Sequence, residues 1–303
     1  MGQQDDKATA GATASDEAKA ETAPLHNASH IRDLVRSGDQ DRFWSALFAS
    51  EPAQSSLLAL DAFTIELSRI PDRISEPQLG EIRLQWWCDA LHQAMETGRA
   101  DHPVMAALAD TARRHALALS ELDAVIEARR FDLSDEPMQD RARLESYMDA
   151  TTGAQFRLAA IVLGANPHDH ERLIGAATKA YGLTALMRSL PHDASHGRIF
   201  LPADLLAAHG LHPNVILSGT DNTDLRAALR DLRKEAERAL GEARLHLTKL
   251  PRALRPAFLP LAPLPAYIRA LASPDLNPIR EIVQLNPLRR YALIWRGYLT
   301  GRI

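Results

Sequence analysis

The sequence predicts an all-α fold: one helical domain over residues 31–303 that follows a disordered tail, residues 1–30. Of the 303 residues, 46% are hydrophobic, which is enough to bury a large core. From residue 30 onward, apolar side chains recur at the three- and four-residue spacing of a helix. No segment alternates between polar and apolar residues over the length of a strand. The period of the apolar pattern therefore decides the fold class.

The predicted tail differs in composition from the rest of the chain. It is mostly Ala, Thr, Asp, Glu and Lys, with almost no large apolar side chain, so burial cannot offset the entropy of ordering it. It lacks the basic start and apolar stretch of a secretory signal and the arginine-rich composition of a mitochondrial presequence. We therefore expect a tail rather than a targeting segment.

Short apolar stripes predict the first helices. Phe43 and Leu47 recur at helical spacing, and residues 55–70 carry a second stripe that Pro71 interrupts. Residues 76–98 form a third pattern, which ends at a glycine. The apolar face of this third helix is predicted to run through Leu79, Ile82, Trp86, Ala90 and Leu91.

The remaining helices are predicted from longer patterns, over residues 103–119, 120–131, 139–164, 169–190 and 222–249. Residues 251–267 are apolar but contain five prolines, and they form either a flap that touches a membrane or a buried irregular connection. Residues 289–303 are predicted to form a short amphipathic helix. Its Arg289, Arg290 and Arg296 either meet lipid headgroups or phosphates, or form a solvated face.

Charge and cysteine usage narrow the classes of function. With 35 basic and 39 acidic residues, the net charge of −4 argues against a general nucleic-acid-binding protein. No apolar stretch approaches the roughly 20 residues of a membrane-spanning helix. The single cysteine, Cys88, excludes an internal disulfide and is predicted to be an inert packing thiol. We expect a cytoplasmic protein whose contact with membranes is at most peripheral.

Short motifs give one further candidate site. The sequence has no phosphate-binding loop, dinucleotide-binding glycine motif or nucleophile elbow. His192 and His196 lie four residues apart, a spacing that on a helix would hold a metal ion. However, Pro191 and Gly197 bracket this segment and favour a loop or a frayed helix end. We expect a loop or a frayed helix end, and metal binding by the two histidines is the alternative.

Two longer segments resemble the squalene/phytoene synthase family. Residues 57–77, LLALDAFTIELSRIPDRISEP, followed by EIRLQWWCDAL, look like the family's first aspartate-rich helix and the helix after it. Residues 182–211, GLTALMRSLPHDASHGRIFLPADLLAAHGL, are similar to its second aspartate-rich segment. Weaker similarities, ARRFDL and SYMDATTGAQFRLAAIVLG, lie between them in the family's order. The shared order makes the resemblance specific.

This resemblance implies an isoprenoid-synthase-like helical bundle around a central cavity. Enzymes of the family join two prenyl diphosphates head to head, with Mg²⁺ ions held by aspartates on facing helices and with arginines on the diphosphate. Apolar helix faces surround the prenyl tails. The implied ligand is a prenyl diphosphate or another apolar molecule, and the implied cofactor is Mg²⁺ if the chain is catalytically active.

The family's aspartate pairs are incomplete in this sequence. The first pair corresponds to Ser68 and Asp72, and the second to Ser189 and Asp193, so serine replaces the first aspartate of each. The resemblance implies Asp72 and Asp193 as metal ligands, and it assigns no catalytic residue. Glu66 points about 160° away from Ser68 on an ideal helix and cannot replace it. The implied diphosphate contacts are Arg188, Arg198, Ser68, Ser189 and Tyr147.

The missing carboxylates bear directly on function. Two intact pairs bring four negative charges to the Mg²⁺ ions, whereas the matched positions here bring two. A serine hydroxyl can touch a cation but adds no charge, so binding of several ions should weaken by several kcal/mol. We therefore predict that the helical scaffold is retained and the prenyl-condensing chemistry is lost.

A branch of the family supports this prediction. AFTIEL and RLQWW here are similar to the AFNVEL and RMQFW segments of an assembly-factor branch that serves mitochondrial respiratory complex I. That branch also departs from the aspartate motifs, and it implies subunits of complex I as partners. The alternative is a working Mg²⁺-dependent head-to-head prenyltransferase in which Asp72 and Asp193 are a reduced set of metal ligands.

Overall fold

The computed structural model describes residues 27–74, 76–134 and 136–303, and over these ranges it contains helices and no strand. The predicted all-α fold is confirmed. Of the predicted tail, residues 27–30 are helical, and residues 1–26 lie outside the described part of the chain. The division into a tail and one domain stays a prediction.

The helices of the first half are α1 (27–38), α2 (Gln40–Ala46), α3 (Ala53–Ser68), α4 (Pro77–Thr97), α5 (Pro103–Arg114), α6 (Leu119–Ala128), α7 (Arg141–Met148) and α8 (Ala154–Val162). Those of the second half are α9 (Glu171–Ser195), α10 (Ala203–Ala208), α11 (Pro213–Leu217), α12 (Thr223–Leu247), α13 (Arg255–Phe258), α14 (Leu264–Ala270) and α15 (Pro287–Thr300). Short 3₁₀ turns cover Pro71–Arg73, Arg129–Leu133, Pro167–His170, Arg252–Leu254 and Leu259–Leu261.

The longest helices form the centre of the bundle. Helix α9 packs extensively against α12, and α3 packs against α5 and α8. The inner face of α12 repeats leucine and alanine at helical spacing, and its outer face is charged, so one face is buried as its period requires. Helices α3 and α9 are buried along much of their length, and both reach the cavity described below.

The buried face of α4 differs from the prediction. Leu79 and Ile82 were predicted to face the core, but they are 48% and 67% exposed. The face that is buried includes Leu84 and Trp87. Gly80 explains the rotation: a Cβ at this position would lie 2.5 Å from Leu133 Cδ2, so the glycine side of the helix packs most closely.

The pattern predicted as one helix over 139–164 is a helix with an inserted π turn. Helices α7 and α8 are joined by the π-helical segment Asp149–Gly153. A Cβ at Gly153 would lie 2.7 Å from Asp149 Oδ1, so a larger residue would require the Asp149 side chain to move. Such π turns are frequent at functional sites, and Thr151 and Thr152 of this one line the cavity.

Helix α9 continues beyond its predicted end. The apolar pattern predicted residues 169–190, but the helix includes Pro191 and runs to Ser195. The expectation of a loop at His192 was therefore wrong. Pro191 removes one backbone donor close to the helix end, where few further hydrogen bonds depend on it.

The packing of the C-terminal part bears on two alternatives that the sequence left open. Residues 251–267 form short, largely buried helical turns, which matches the buried connection. Arg290 of α15 faces inward and its Nε lies 3.1 Å from Asp41 Oδ1, whereas Arg289 and Arg296 are exposed. Among the described residues, no helix combines the length and the hydropathy that crossing a membrane requires.

Candidate functional site

A cavity of about 530 Å³ opens between α3, α7 and α9, with contributions from α2 and from the π turn. Most of its lining residues carry polar or charged side chains. Its polar lining comprises Asp39, Arg42, Thr64, Ser68, Arg69, Asp72, Arg129, Asp132, Tyr147, Thr151, Thr152, Gln155, Tyr181, Ser189, His192, Asp193 and Arg198. Six of the seven predicted site residues are in this set.

The mouth of the cavity is organised around Arg198. Its Nη2 donates a hydrogen bond of 2.8 Å to Asp72 Oδ1 and lies 3.6 Å from Asp193 Oδ1. One guanidinium therefore stands between Asp72 and Asp193, the two carboxylates predicted as metal ligands. The Arg198 side chain is 12% exposed, so the attraction is only partly screened by water.

The two carboxylates differ in their ionisation. Burial alone would raise the pKa of Asp72, but the hydrogen bond and charge of Arg198, together with His192, hold it below its usual value. Burial raises the pKa of Asp193 despite a hydrogen bond from Ser189 and the charge of Arg198. Asp72 is the more exposed of the two, and this explains the difference.

The two serines do not point free hydroxyls at a metal position. Ser68 Oγ donates to the backbone oxygen of Ile65 at 2.9 Å, within its own helix. Ser189 Oγ lies 3.3 Å from the backbone oxygen of Leu186, in the matching arrangement on α9. Each serine thus occupies the aspartate's place on the helix without supplying its charge.

Tyr147 belongs to a second polar group on the opposite wall. Its hydroxyl donates to Asp132 Oδ1 at 2.6 Å and accepts from Arg129 Nη1 at 3.0 Å. Arg129 also contacts Asp132 Oδ2 at 3.0 Å, which closes a three-membered network. Burial raises the pKa of Tyr147 well above its ordinary value, so the phenol remains protonated and donates to Asp132.

Arg188 lies elsewhere, and its predicted contact with a diphosphate in this cavity is not supported by its position. Arg188 directly precedes Ser189 on α9, so its side chain is rotated by about 100° around the helix from that of Ser189, which faces the cavity. Its guanidinium carbon lies 3.7 Å from the centre of the Tyr267 ring, and its charge acts on buried Asp41. Arg188 therefore contributes to packing between α9, α14 and α2.

The floor of the cavity, lined by Asp39, Arg42 and Gln155, is connected to the buried Asp61 behind it. Arg42 Nη1 lies 3.8 Å from Asp61 Oδ1, and its Nε lies 3.7 Å from Asp39 Oδ2. Gln155 Nε2 donates to Asp61 Oδ1 at 2.8 Å. Burial, which outweighs the opposing charge of Arg42, raises the pKa of Asp61 to about 7. Arg42 thus brings a positive charge to the lining of the cavity.

Aromatic rings complete the floor. Phe156 is fully buried, stacks on Phe258 with centroids 5.6 Å apart, and lies 5.9 Å from Tyr181. The guanidinium carbon of Arg42 lies 5.2 Å from the Phe156 ring centre and 5.0 Å from that of Tyr181. The Phe156 ring thus helps to hold Arg42 in place.

Sequence reasoning missed most of the floor and half of the Tyr147 network. Arg129 and Asp132 lie within ARRFDL, a segment similar to the family whose residues had been given no role. Their three-residue spacing on one helical face was the available signal. Arg42 and Asp61 come from different helices, and no local pattern connects them.

The residues at the mouth do not fit the family's array of Mg²⁺ ions. Such an array needs several carboxylate oxygens free to face the ions. Here two carboxylates share one arginine, and both serine hydroxyls lie against backbone oxygens of their own helices. Glu66 does not replace them, because it pairs with Arg73 at 3.0 Å and is not among the residues that line the cavity.

Solved structures with the same architecture define the class of fold. A dehydrosqualene synthase in complex with ligand superposes with a TM-score of 0.75 at 17% identity, covering 92% of this chain and 98% of that one. The squalene synthase HpnC from Alicyclobacillus acidocaldarius superposes with a TM-score of 0.70 at 20% identity, covering 82% and 94%. The fold is therefore that of an isoprenoid-synthase-like helical bundle.

The family model for squalene/phytoene synthases matches residues 35–291, so the chain belongs to the squalene/phytoene synthase family. The resemblance inferred from the two motifs is confirmed. Curated relatives include assembly factor 6 of NADH dehydrogenase (ubiquinone) complex I from Bos taurus, which is 28% identical over 268 residues, covering 87% of this chain and 80% of that protein. The chloroplastic phytoene synthase 1 of Arabidopsis thaliana is 24% identical, covering 84% and 62%.

Proposed function

We propose that this protein is a non-catalytic member of its family that supports the assembly of respiratory complex I. The observation that carries the proposal is the bridging of Asp72 and Asp193 by Arg198, beside serines that contribute no charge. A site built this way has little remaining affinity for the cations that help a diphosphate leave. The similarity to curated complex I assembly factors indicates the process, with subunits of the complex as partners.

The floor of the cavity supports the same proposal. A head-to-head condensation needs an apolar space in which carbocations are shielded from water, but Arg42 brings a positive charge to the lining of the cavity. We therefore propose that the cavity does not hold two prenyl diphosphates. We also propose that the protein acts in the cytoplasm, at most on the membrane surface.

Gene deletion followed by measurements of respiration tests the assembly role. In membranes from the deletion strain, NADH oxidation through complex I should fall severalfold, while succinate oxidation, which bypasses complex I, should not change. Restoring the gene should restore NADH oxidation. Unchanged complex I activity and unchanged amounts of the assembled complex would contradict the proposal.

A variant separates assembly from family-type catalysis in the same strain. Asp193→Asn removes a carboxylate that a prenyltransferase would need but keeps the size of the side chain. If the role is non-catalytic, this variant should restore NADH oxidation as well as the unmodified gene does. Failure to restore it, with normal protein abundance, would favour the prenyltransferase alternative.

A further inference from the structure

We propose a binding site for one divalent transition-metal ion of the zinc class at the outer rim of the cavity, formed by Asp72, His192 and His196. One potential ligand atom from each of these side chains lies within 4.8 Å of the others. The inference does not depend on the proposed function, because it concerns two histidines that the proposed function does not use. It also differs from the family's Mg²⁺ chemistry, which uses oxygen ligands.

The two histidines come together because α9 continues past Pro191. On a helix, residues four apart lie on the same face, and the centres of the two imidazole rings are 4.4 Å apart. The 3₁₀ turn after α3 brings Asp72 to the same point, where its Oδ2 lies 3.1 Å from His192 Nε2. Three ligands from two distant segments therefore face one position.

The hydrogen bonds of His196 prepare it as a ligand. Its Nδ1 lies 2.8 Å from the backbone oxygen of His192. A carbonyl oxygen can only accept, so Nδ1 carries the proton and Nε2 keeps its lone pair. Metal-binding histidines in proteins commonly donate their other ring N–H to a backbone carbonyl, which fixes the tautomer and the orientation of the ring.

Asp72 divides its two oxygens between two roles. Oδ1 accepts a hydrogen bond from Arg198 at 2.8 Å, on the cavity side. Oδ2 faces His192 and is the oxygen available to a cation. The positive charge of Arg198 is shared with Asp193, which limits its repulsion of an ion at the rim. Arg198 thus holds the carboxylate in place, as outer-shell partners of metal ligands do.

The chemistry of the ligand set selects the ion. Two imidazoles and one carboxylate suit Zn²⁺, Co²⁺ or Ni²⁺, whereas Mg²⁺ prefers oxygen ligands and keeps several waters. Ligands at about 2.0–2.2 Å from a tetrahedral ion are about 3.4 Å apart, so the three side chains must close by a small rotation. The His192 side chain is 40% exposed and has room to make it. Three protein ligands leave a fourth position for water or an anion.

Titration of the purified full chain, without a histidine tag, with Co²⁺ and with Zn²⁺ tests the site. Calorimetry reports affinity and stoichiometry, and the visible absorbance of bound Co²⁺ reports nitrogen coordination. The variants are His196→Gln and, as a matched control, His92→Gln. His92 also pairs with a carboxylate, Asp123, at 2.9 Å on an exposed surface, but it belongs to no three-ligand cluster among the described residues.

We expect one ion per chain, binding at least tenfold weaker in His196→Gln, unchanged binding in His92→Gln, and no displacement by excess Mg²⁺. His196 is exposed, so the variant should unfold at the same temperature as the unmodified chain in the presence of a chelator. Three results would each overturn the proposal: no stoichiometric binding, equal affinity in His196→Gln, or equal weakening in His92→Gln.

Discussion

The mouth and the floor of the cavity both contain carboxylates beside an arginine, but the pKa values of Asp72 and Asp61 are shifted in opposite directions because the two side chains differ in exposure to solvent. At the mouth, Asp72 is 31% exposed, and Arg198 holds its pKa below the ordinary value. On the floor, burial dominates and raises the pKa of Asp61 to about 7 although Arg42 lies 3.8 Å away. An arginine and an aspartate thus form a partly exposed ion pair at the mouth and part of a buried structural network at the floor.

This difference shows which part of an inherited site remains open to ligands. Groups at the mouth keep water and can exchange partners at small cost, which suits binding. Groups on the floor have no water to replace a lost partner, so their contacts are fixed by stability. The polar floor is therefore closed to ligands, and the mouth is the part of the cavity that can bind cations or anions.

The largest expected change in stability comes from a substitution at the floor of the cavity. Arg42→Ala removes the cation between Asp39 and Asp61 and should lower the free energy of unfolding by about 3–5 kcal/mol, since it leaves buried carboxylates unpaired. Urea denaturation measures the change. Combining Arg42→Met with Asp61→Leu replaces the pair by apolar groups and should recover most of the loss. A loss below about 1 kcal/mol in Arg42→Ala would show that the floor is hydrated.

The next effect is the pH dependence of stability. Because the folded-state pKa of Asp61 is raised to about 7, the folded chain keeps a proton that the unfolded chain releases near pH 4. The stabilisation from this proton is present below about pH 4 and is lost as the pH rises through about 7. Between these values the loss is roughly 3 kcal/mol.

Comparison with the Asp61→Asn variant isolates the contribution of the Asp61 proton to the free energy of unfolding. The variant should show a flatter decrease in unfolding free energy over the same pH interval. The lowered pKa of Asp72 acts with the opposite sign: its stabilisation is present above the unfolded-state pKa, near 4, and is lost as the pH falls through the lower folded-state value. Identical pH profiles for the native chain and Asp61→Asn would contradict the assignment of Asp61.

A smaller effect is expected at the mouth. Arg198→Gln should lower the free energy of unfolding by about 1–2 kcal/mol, because Asp72 is partly exposed and water compensates for much of the lost hydrogen bond. Arg289→Gln, on the exposed face of α15, is the control and should change stability by less than about 0.5 kcal/mol. A loss as large as that of Arg42→Ala would remove the distinction between mouth and floor.

The smallest expected change in stability comes from an experiment that restores the carboxylates predicted to be missing at the mouth. Ser68→Asp combined with Ser189→Asp restores four carboxylates, so Mg²⁺ at ten times its dissociation constant should stabilise the variant by about 1.4 kcal/mol. The native chain and the neutral variant Ser68→Asn with Ser189→Asn should not respond. Thermal unfolding with Mg²⁺ or with a chelator measures the difference. An equal response of the native chain would show that two carboxylates suffice.

Much of the fold was predictable because the spacing of apolar residues alone indicates helices. The predictions that failed concern single helices. Helix α4 has apolar residues on more than one side, so Leu79 and Ile82 gave a plausible face, and the close contact at Gly80 decides otherwise. At Pro191 the rule that proline ends a helix failed, because the cost of one missing hydrogen bond is small so near the end.

The site was predictable where family motifs mark it. Ser68, Asp72, Ser189 and Asp193 were expected around one cavity and line it together. Arg188 was misplaced because one residue along a helix is a rotation of about 100°, enough to leave the cavity wall.

The floor was not predictable, since its hydrogen bond between Gln155 and Asp61 joins positions 94 residues apart. No pattern within one helix carries such a contact.

Release of pyrophosphate from farnesyl or geranylgeranyl diphosphate in the presence of Mg²⁺ tests the central claim most directly. If two carboxylates bridged by Arg198 cannot hold the ions, the purified chain should release no more pyrophosphate than a matched sample of its Asp193→Asn variant. Steady turnover by the native chain that is abolished in Asp193→Asn would contradict the account.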